Sequence, residues 1–352
     1  MNSNNFHIPS LDGIRCVSIM LVYLGHIGLI SFGTLGVTIF FFLSGFLITT
    51  LLRKEFQKSK DIDIKSFFIR RFLRIFPSFY AVLTISLLFH VLFEQQVSLW
   101  PILLQYLHLT NYASLYFNSE LILGSLVYWS LSVEEHFYLL FPLIYLFFLK
   151  KNYSKYKITY LLLLLCLLIL INRIYLIHYL DSGSARVYRS TDTRIDSILF
   201  GCILAIRLNP IFEDLIIKSK FKLNSLFIFS SALMLFSLVM DDIFNDPNLR
   251  ETIRYTLQGL SLMGLFLFSL TIRAGFIYTI LNSSIVVFIG KISYTFYLIH
   301  MLIILSVKKL FNLEEIIPLL AITFPLCIIY SFLSYHYMEK PINKYKTLFS
   351  RI

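Results

Sequence analysis

Apolar positions along the chain gather into long runs, and short polar or charged stretches separate them. A transmembrane helix needs about 20 predominantly apolar residues. Ten runs approach that length: 14–31, 35–52, 75–93, 127–149, 158–178, 195–207, 223–240, 253–272, 285–306 and 315–337. The pattern predicts an all-α polytopic membrane protein of about ten transmembrane helices. The sixth run is short, and it reaches spanning length only if Arg194 and Asp196 enter the membrane edge. The first does not read as a signal peptide, because Asp12 sits beside Arg15 in its flank and no small-residue cleavage site follows. Residues 95–126 are moderately apolar but interrupted by polar groups, and they are expected to form an outer-face or re-entrant segment rather than a span. No repeat and no Gly/Ser- or Pro-rich linker divides the chain, so 1–352 is read as one integral-membrane domain.

Composition agrees with the pattern. Only 14% of residues are charged while 57% are hydrophobic, against about 25% charged in a soluble domain. Such a chain cannot cover itself with a water-compatible surface. The net charge of +11 would suggest nucleic acid in a soluble protein. Here cationic cytoplasmic loops produce the same balance without such a partner. With both termini in the cytoplasm, the inner connections hold 22 Lys and Arg, Lys218 and Arg351 among them. The outer side holds eight: Arg173, Arg186, Arg189, Arg194, Arg250, Arg254, Lys308 and Lys309. Lys291 is left unassigned. The four cysteines lie in apolar runs with no CxxC pair, so neither a disulfide framework nor a metal site is suggested.

The remaining polar groups within apolar runs are costly to place in a bilayer and are functional candidates for that reason. His26, flanked by Gly25 and Gly28, suits either a helix-to-helix hydrogen bond or catalysis. Glu134, in Trp129-Ser130-Leu131-Ser132-Val133-Glu134-Glu135-His136, lies with Glu135 and His136 in or near the outer half of its span; either an imidazolium satisfies one carboxylate, or Glu135 and His136 face the interface and only Glu134 looks inward. Arg71 and Arg74 are three residues apart and share a helical face. Guanidinium forks suit phosphate oxygens, although topogenic charge and lipid headgroups account for cationic loops equally well. A structural pairing is expected for Arg194 and Asp196, and His300 is a further buried candidate. The signatures of P-loop, dinucleotide, zinc-protease and serine-hydrolase sites are absent.

Several motifs occur in order: Leu11-Asp12-Gly13-Ile14-Arg15 with His26, Gly36 to Ile48, and Arg71-Phe72-Leu73-Arg74-Ile75-Phe76-Pro77. Trp129 to Tyr138, Arg194-Ile195-Asp196 with Gly201, Ser293-Tyr294 to His300, and Glu339-Lys340-Pro341 follow. Together they span nearly the whole chain and resemble the acyltransferase 3 family of membrane O-acyltransferases. Cys16, Gly25 and His136 depart from the family pattern without removing a catalytic position. The resemblance implies a ten-helix core and transfer of an acyl group, usually acetyl from acetyl-CoA, to a hydroxyl of a glycan, a lipid-linked sugar or a small molecule. It implies that Arg71 and Arg74, helped by Arg15, hold the CoA phosphates, and that His26 acts as general base or transient acyl carrier. Glu134 is expected to orient His26. Some members add an extracytoplasmic SGNH hydrolase-like domain; none is expected here, which leaves the final transfer to the membrane domain or to a separate partner. A transporter or flippase for a lipid-linked sugar is the rival class. The residue usage suits an AT-rich genome but does not name the membrane; the expected location is the inner (cytoplasmic) membrane of a bacterium.

Overall fold

A computed structural model of the protein describes residues 9–94, 98–212 and 219–349. Lys218 and Arg351 of the cation count lie outside these residues. Within them the chain is helical, with no strand. The first half contains α1 (Pro9–His26), α2 (Thr34–Ser59), α3 (Ile64–Glu94), α4 (Leu99–Tyr106), α5 (Thr110–Tyr116), α6 (Trp129–Lys150) and α7 (Lys155–His178). Then come α8 (Ser184–Arg189), α9 (Thr191–Arg207), α10 (Lys220–Phe244), α11 (Pro247–Thr252) and α12 (Arg254–Thr271). The chain continues through α13 (Phe276–Leu281), α14 (Ser284–Phe311), α15 (Ile316–Ser334), a π-helical turn at Tyr335–Glu339 and α16 (Lys340–Tyr345).

Each of the ten apolar runs falls on a helix, and seven of the helices are long and apolar enough to cross a membrane. The other three runs lie on α1, α9 and α12, of 18, 17 and 18 residues. Those helices carry Asp12 and Arg15, Arg194 and Asp196, and Arg254 and Gln258. All three pack against α2. Residues 98–126 form α4, α5 and two 3-10 turns, none longer than eight residues, so this segment does not span; 95–97 lie outside the described residues.

α2 is the centre of the bundle. Its spanning window is 83% buried within the protein, against 28% for α7, 28% for α10 and 22% for α15. The run Thr34–Ile48 is apolar on all sides, as an enclosed helix must be. What distinguishes it from the equally apolar α7 is its small residues. A Cβ at Gly45 would sit 2.0 Å from the Ile198 carbonyl oxygen, and one at Gly201 would sit 2.0 Å from that of Phe42. α2 and α9 therefore touch backbone to backbone at two levels, the close approach that small residues permit between membrane helices. Gly36 packs likewise on Ser18 and Val22 of α1, and Gly290 of α14 on the Asp12 carbonyl.

Gly201→Ala is expected to force α9 away from α2 and to cost about 1–3 kcal/mol, the usual penalty of overpacking. Thermal unfolding of the purified protein in detergent measures it; an unchanged midpoint would show that the contact yields freely.

Candidate functional site

A cavity of about 410 Å³ lies among α1, α2, α3, α6, α14 and the C-terminal turns, within the range of ligand pockets. Arg15, Arg71 and Arg74 all line it, so the structure brings together the three cations singled out in the sequence. Lys291 and Lys346 join them. The cations converge because α1, α3 and α14 each present this end to the same space: Gly290 lets α14 sit on the Asp12 backbone, one turn from Arg15. Arg15 donates to Asp12, and Arg71 lies over the Tyr138 ring, 5.6 Å from its centroid. The carboxylates in the lining are Asp12, Glu134, Glu135 and Glu339. The π-helical turn places both Tyr335 and Glu339 in the lining, a geometry often found at functional sites. Lys346 donates to Asn343. Its burial first, and then the Arg74 and Arg71 guanidiniums, push its ammonium down to about 7.

Glu134 accepts a hydrogen bond from the Tyr138 hydroxyl at 2.7 Å and a longer one from Ser44 at 3.4 Å. Glu135 also faces the cavity, so Glu134 is not alone in looking inward. His136 does turn away, its Nδ1 2.7 Å from the Thr191 hydroxyl.

His26 is the last residue of α1 and is exposed there; it does not line the cavity. Its Nδ1 lies 3.0 Å from Nε2 of the fully buried His300. His300 Nδ1 lies 2.7 Å from the Tyr297 carbonyl oxygen. A carbonyl only accepts, so His300 Nδ1 carries a proton. A neutral His300 then offers Nε2 as acceptor, and the proton between the rings belongs to His26 Nδ1. His26 Nε2 is left with its lone pair free, the form a general base needs. His300 thus sets the tautomer of His26.

The expected contact between Glu134 and His26 is not made. The reason is depth. Gly36 packs on Val22, and Ser44, the partner of Glu134, lies eight residues further along α2, about 12 Å at 1.5 Å per residue. His26 lies four residues beyond Val22 in the opposite direction. The link between the two regions is Tyr297, which lines the cavity, packs 5.5 Å from the His300 ring, and has its hydroxyl 2.6 Å from Ser130 Oγ.

Asp196 plays the structural role expected, through an unforeseen partner. Asp196 accepts from Arg173 at 2.7 Å, and both side chains are fully buried. Arg173 further donates to the carbonyls of Thr252 and Thr193 and to the Thr256 hydroxyl. It is not the outer-loop cation of the sequence count, and its place inside the run 158–178 was the overlooked signal. Arg194 is also fully buried, donates to the Thr38 hydroxyl at 3.1 Å, and stacks on Tyr255 at 3.6 Å. Ser44, Tyr138, Tyr297 and Glu339 stood in quoted motifs without an assigned role; Lys346 looked like one more topogenic charge.

Comparison with known proteins agrees with this architecture. Residues 8–336 match the acyltransferase 3 family model, described as an acyltransferase domain. The chain belongs to that family. It is 29% identical to the O-acetyltransferase OatA of Staphylococcus aureus (strain NCTC 8325 / PS 47) over 357 aligned positions, covering 96% of this chain and 57% of that protein. A putative O-acetyltransferase of S. aureus strain COL is also 29% identical, over 96% of this chain and 58% of the relative. The chain therefore spans somewhat more than half the length of these relatives. No solved structure matches it.

Asp196→Ala would strand the Arg173 charge in the interior. The expected cost is about 3–5 kcal/mol, typical of breaking a buried ion pair, read as a large drop in unfolding midpoint or in membrane abundance. A variant as stable as the parent would remove this pair from the framework.

Proposed function

We propose that the protein is an O-acyltransferase of the bacterial cytoplasmic membrane, moving an acetyl group from acetyl-CoA to a hydroxyl of a cell-surface glycan or a lipid-linked sugar. The observation that carries this reading is one cavity with Arg15, Arg71, Arg74 and Lys346 in its lining and, past Tyr297, a histidine pair of defined tautomer. The inner-side cations suit the phosphates of CoA, which guanidinium forks bind bidentately. From Arg15 to His26 is eleven residues of one helix, about 16 Å, a distance for the extended pantetheine arm to cover. Val37, one turn inside α2, also lines the cavity, so the cavity wall extends toward the end of the bundle where His26 lies.

The reaction follows from these positions. The acceptor hydroxyl gives its proton to His26 Nε2 while its oxygen attacks the thioester carbonyl. The C–O bond forms, the C–S bond breaks, and the proton passes from His26 to the departing thiolate. His300 holds the ring for both transfers. Glu134, with Ser44 and Tyr138, shapes the cavity wall beside Arg71 rather than touching His26. OatA of S. aureus is by name an O-acetyltransferase, which supports acetyl as the group moved. A sugar flippase would not need a CoA-phosphate site beside a histidine-bearing helix; stabilisation of the purified protein by acetyl-CoA separates the two classes.

His26→Ala, at normal membrane abundance, is expected to lower acetylated product by 10²–10⁴-fold, the usual contribution of a general base; undiminished product removes His26 from the mechanism. Lys346 carries its charge below about pH 7 and loses it above. Wild-type affinity for acetyl-CoA should therefore fall, relative to Lys346→Arg, by up to about tenfold between pH 6 and 8. Parallel profiles for the two proteins would take Lys346 out of the donor site.

A further inference from the structure

A second, smaller pocket of about 130 Å³ lies at the start of α2, lined by residues that include Thr34, Tyr188, Arg189, Arg250, Glu251 and Tyr255. Thr34 is the first residue of α2, and the connection leading to it begins at His26. α12 begins at the same pocket, with Arg254 and Tyr255 in its wall. The N-terminus of α2, a partial positive charge, thus meets three guanidiniums there; Glu251 is the one carboxylate in the lining among the described residues and pairs with Arg250 at 3.2 Å, so the cations remain in excess.

Arg194 sits behind this wall. Its guanidinium lies over Tyr255 at 3.6 Å and Tyr188 at 5.3 Å, both of which line the small pocket. It lies 5.7 Å from the Phe41 ring, which lines the large cavity. The side chain is fully buried, and Nε and Nη1 have no hydrogen-bond partner among the described residues. A guanidinium cannot discharge itself by losing a proton, and aromatic faces only partly replace a counter-ion. A buried charge of this kind is stabilised when an anion comes close.

We propose that this pocket binds the acceptor, and that the acceptor is an anionic saccharide, a sugar bearing a carboxylate or phosphate. Arg250 and Arg189 take the anion at the pocket mouth, Arg194 adds its field through the Tyr255 and Tyr188 rings, and those rings offer flat apolar faces to the sugar. The anion holds the sugar on the face where His26 is exposed. The inference rests on the acyl-transfer reading above, because it assigns that reaction its acceptor.

The test is thermal stabilisation of the purified full chain by methyl glucoside, glucuronic acid and glucose 1-phosphate at equal millimolar concentration, with inorganic phosphate alongside. The expected result is stabilisation by one or both charged sugars and none by methyl glucoside or phosphate. Which of the two charged sugars acts tells carboxylate from phosphate. Arg250→Gln, an exposed position that does not threaten folding, should weaken the response at least fivefold in ligand concentration. Equal shifts with the neutral sugar, an equal shift with phosphate alone, or a full response in Arg250→Gln overturns the proposal. Acetyl-CoA is titrated separately into the wild-type protein. Binding of acetyl-CoA without any preference for charged sugars sinks this inference alone, whereas no binding of acetyl-CoA sinks the donor reading.

Discussion

α2 and α9 touch backbone to backbone at Gly45 against Ile198 and at Gly201 against Phe42, and the rest of the molecule is arranged around that contact. No water-driven hydrophobic effect holds helices together inside a bilayer, so close packing and interhelical hydrogen bonds must do it. The contact fixes the rotation of both helices. On α2 it sets Ser44, the neighbour of Gly45, toward Glu134 and Tyr138, and Thr38 toward Arg194. On α9 it brings Asp196 to Arg173 and closes an ion pair with no exposed atom. An added Cβ at either glycine would disturb the cavity wall as well as the packing.

The second organising constraint is the cost of buried charge. The protein meets it in three ways. Arg173 and Asp196 neutralise each other, with the spare guanidinium protons given to two carbonyls and a hydroxyl. The large cavity mixes cations and carboxylates in nearly equal number, so an anionic donor would displace internal pairings rather than meet a bare positive field. Arg194 is different: aromatic rings surround it and two of its nitrogens lack partners among the described residues. That asymmetry separates a framework charge from one whose environment is incomplete.

The histidine pair gives the site its direction. A carbonyl at one end of the chain Tyr297–His300–His26 dictates where every proton lies, and the free lone pair emerges at the exposed end of α1. Arg15 stands toward the opposite end of the same helix, in the cavity that Arg71 and Arg74 of α3 also line.

Much of this was legible in the sequence. Runs near twenty apolar residues placed the helices, because a bilayer imposes that length on any segment that crosses it. Arg15, Arg71 and Arg74 could be grouped as one cation cluster, and the ordered motifs pointed to the family. Other features needed the folded chain. α2 and α7 are alike in apolarity, and only packing decides that one is enclosed and the other faces outward. Arg173 and Lys346 looked like loop charges until neighbouring helices enclosed them. Glu134 was assigned to His26, but the antiparallel register of α1 and α2 sets them at different depths and gives His26 to His300 instead. A sequence states which residues are costly to bury; which partner offsets that cost depends on helix register and rotation, and those are set by contacts between residues far apart in the chain.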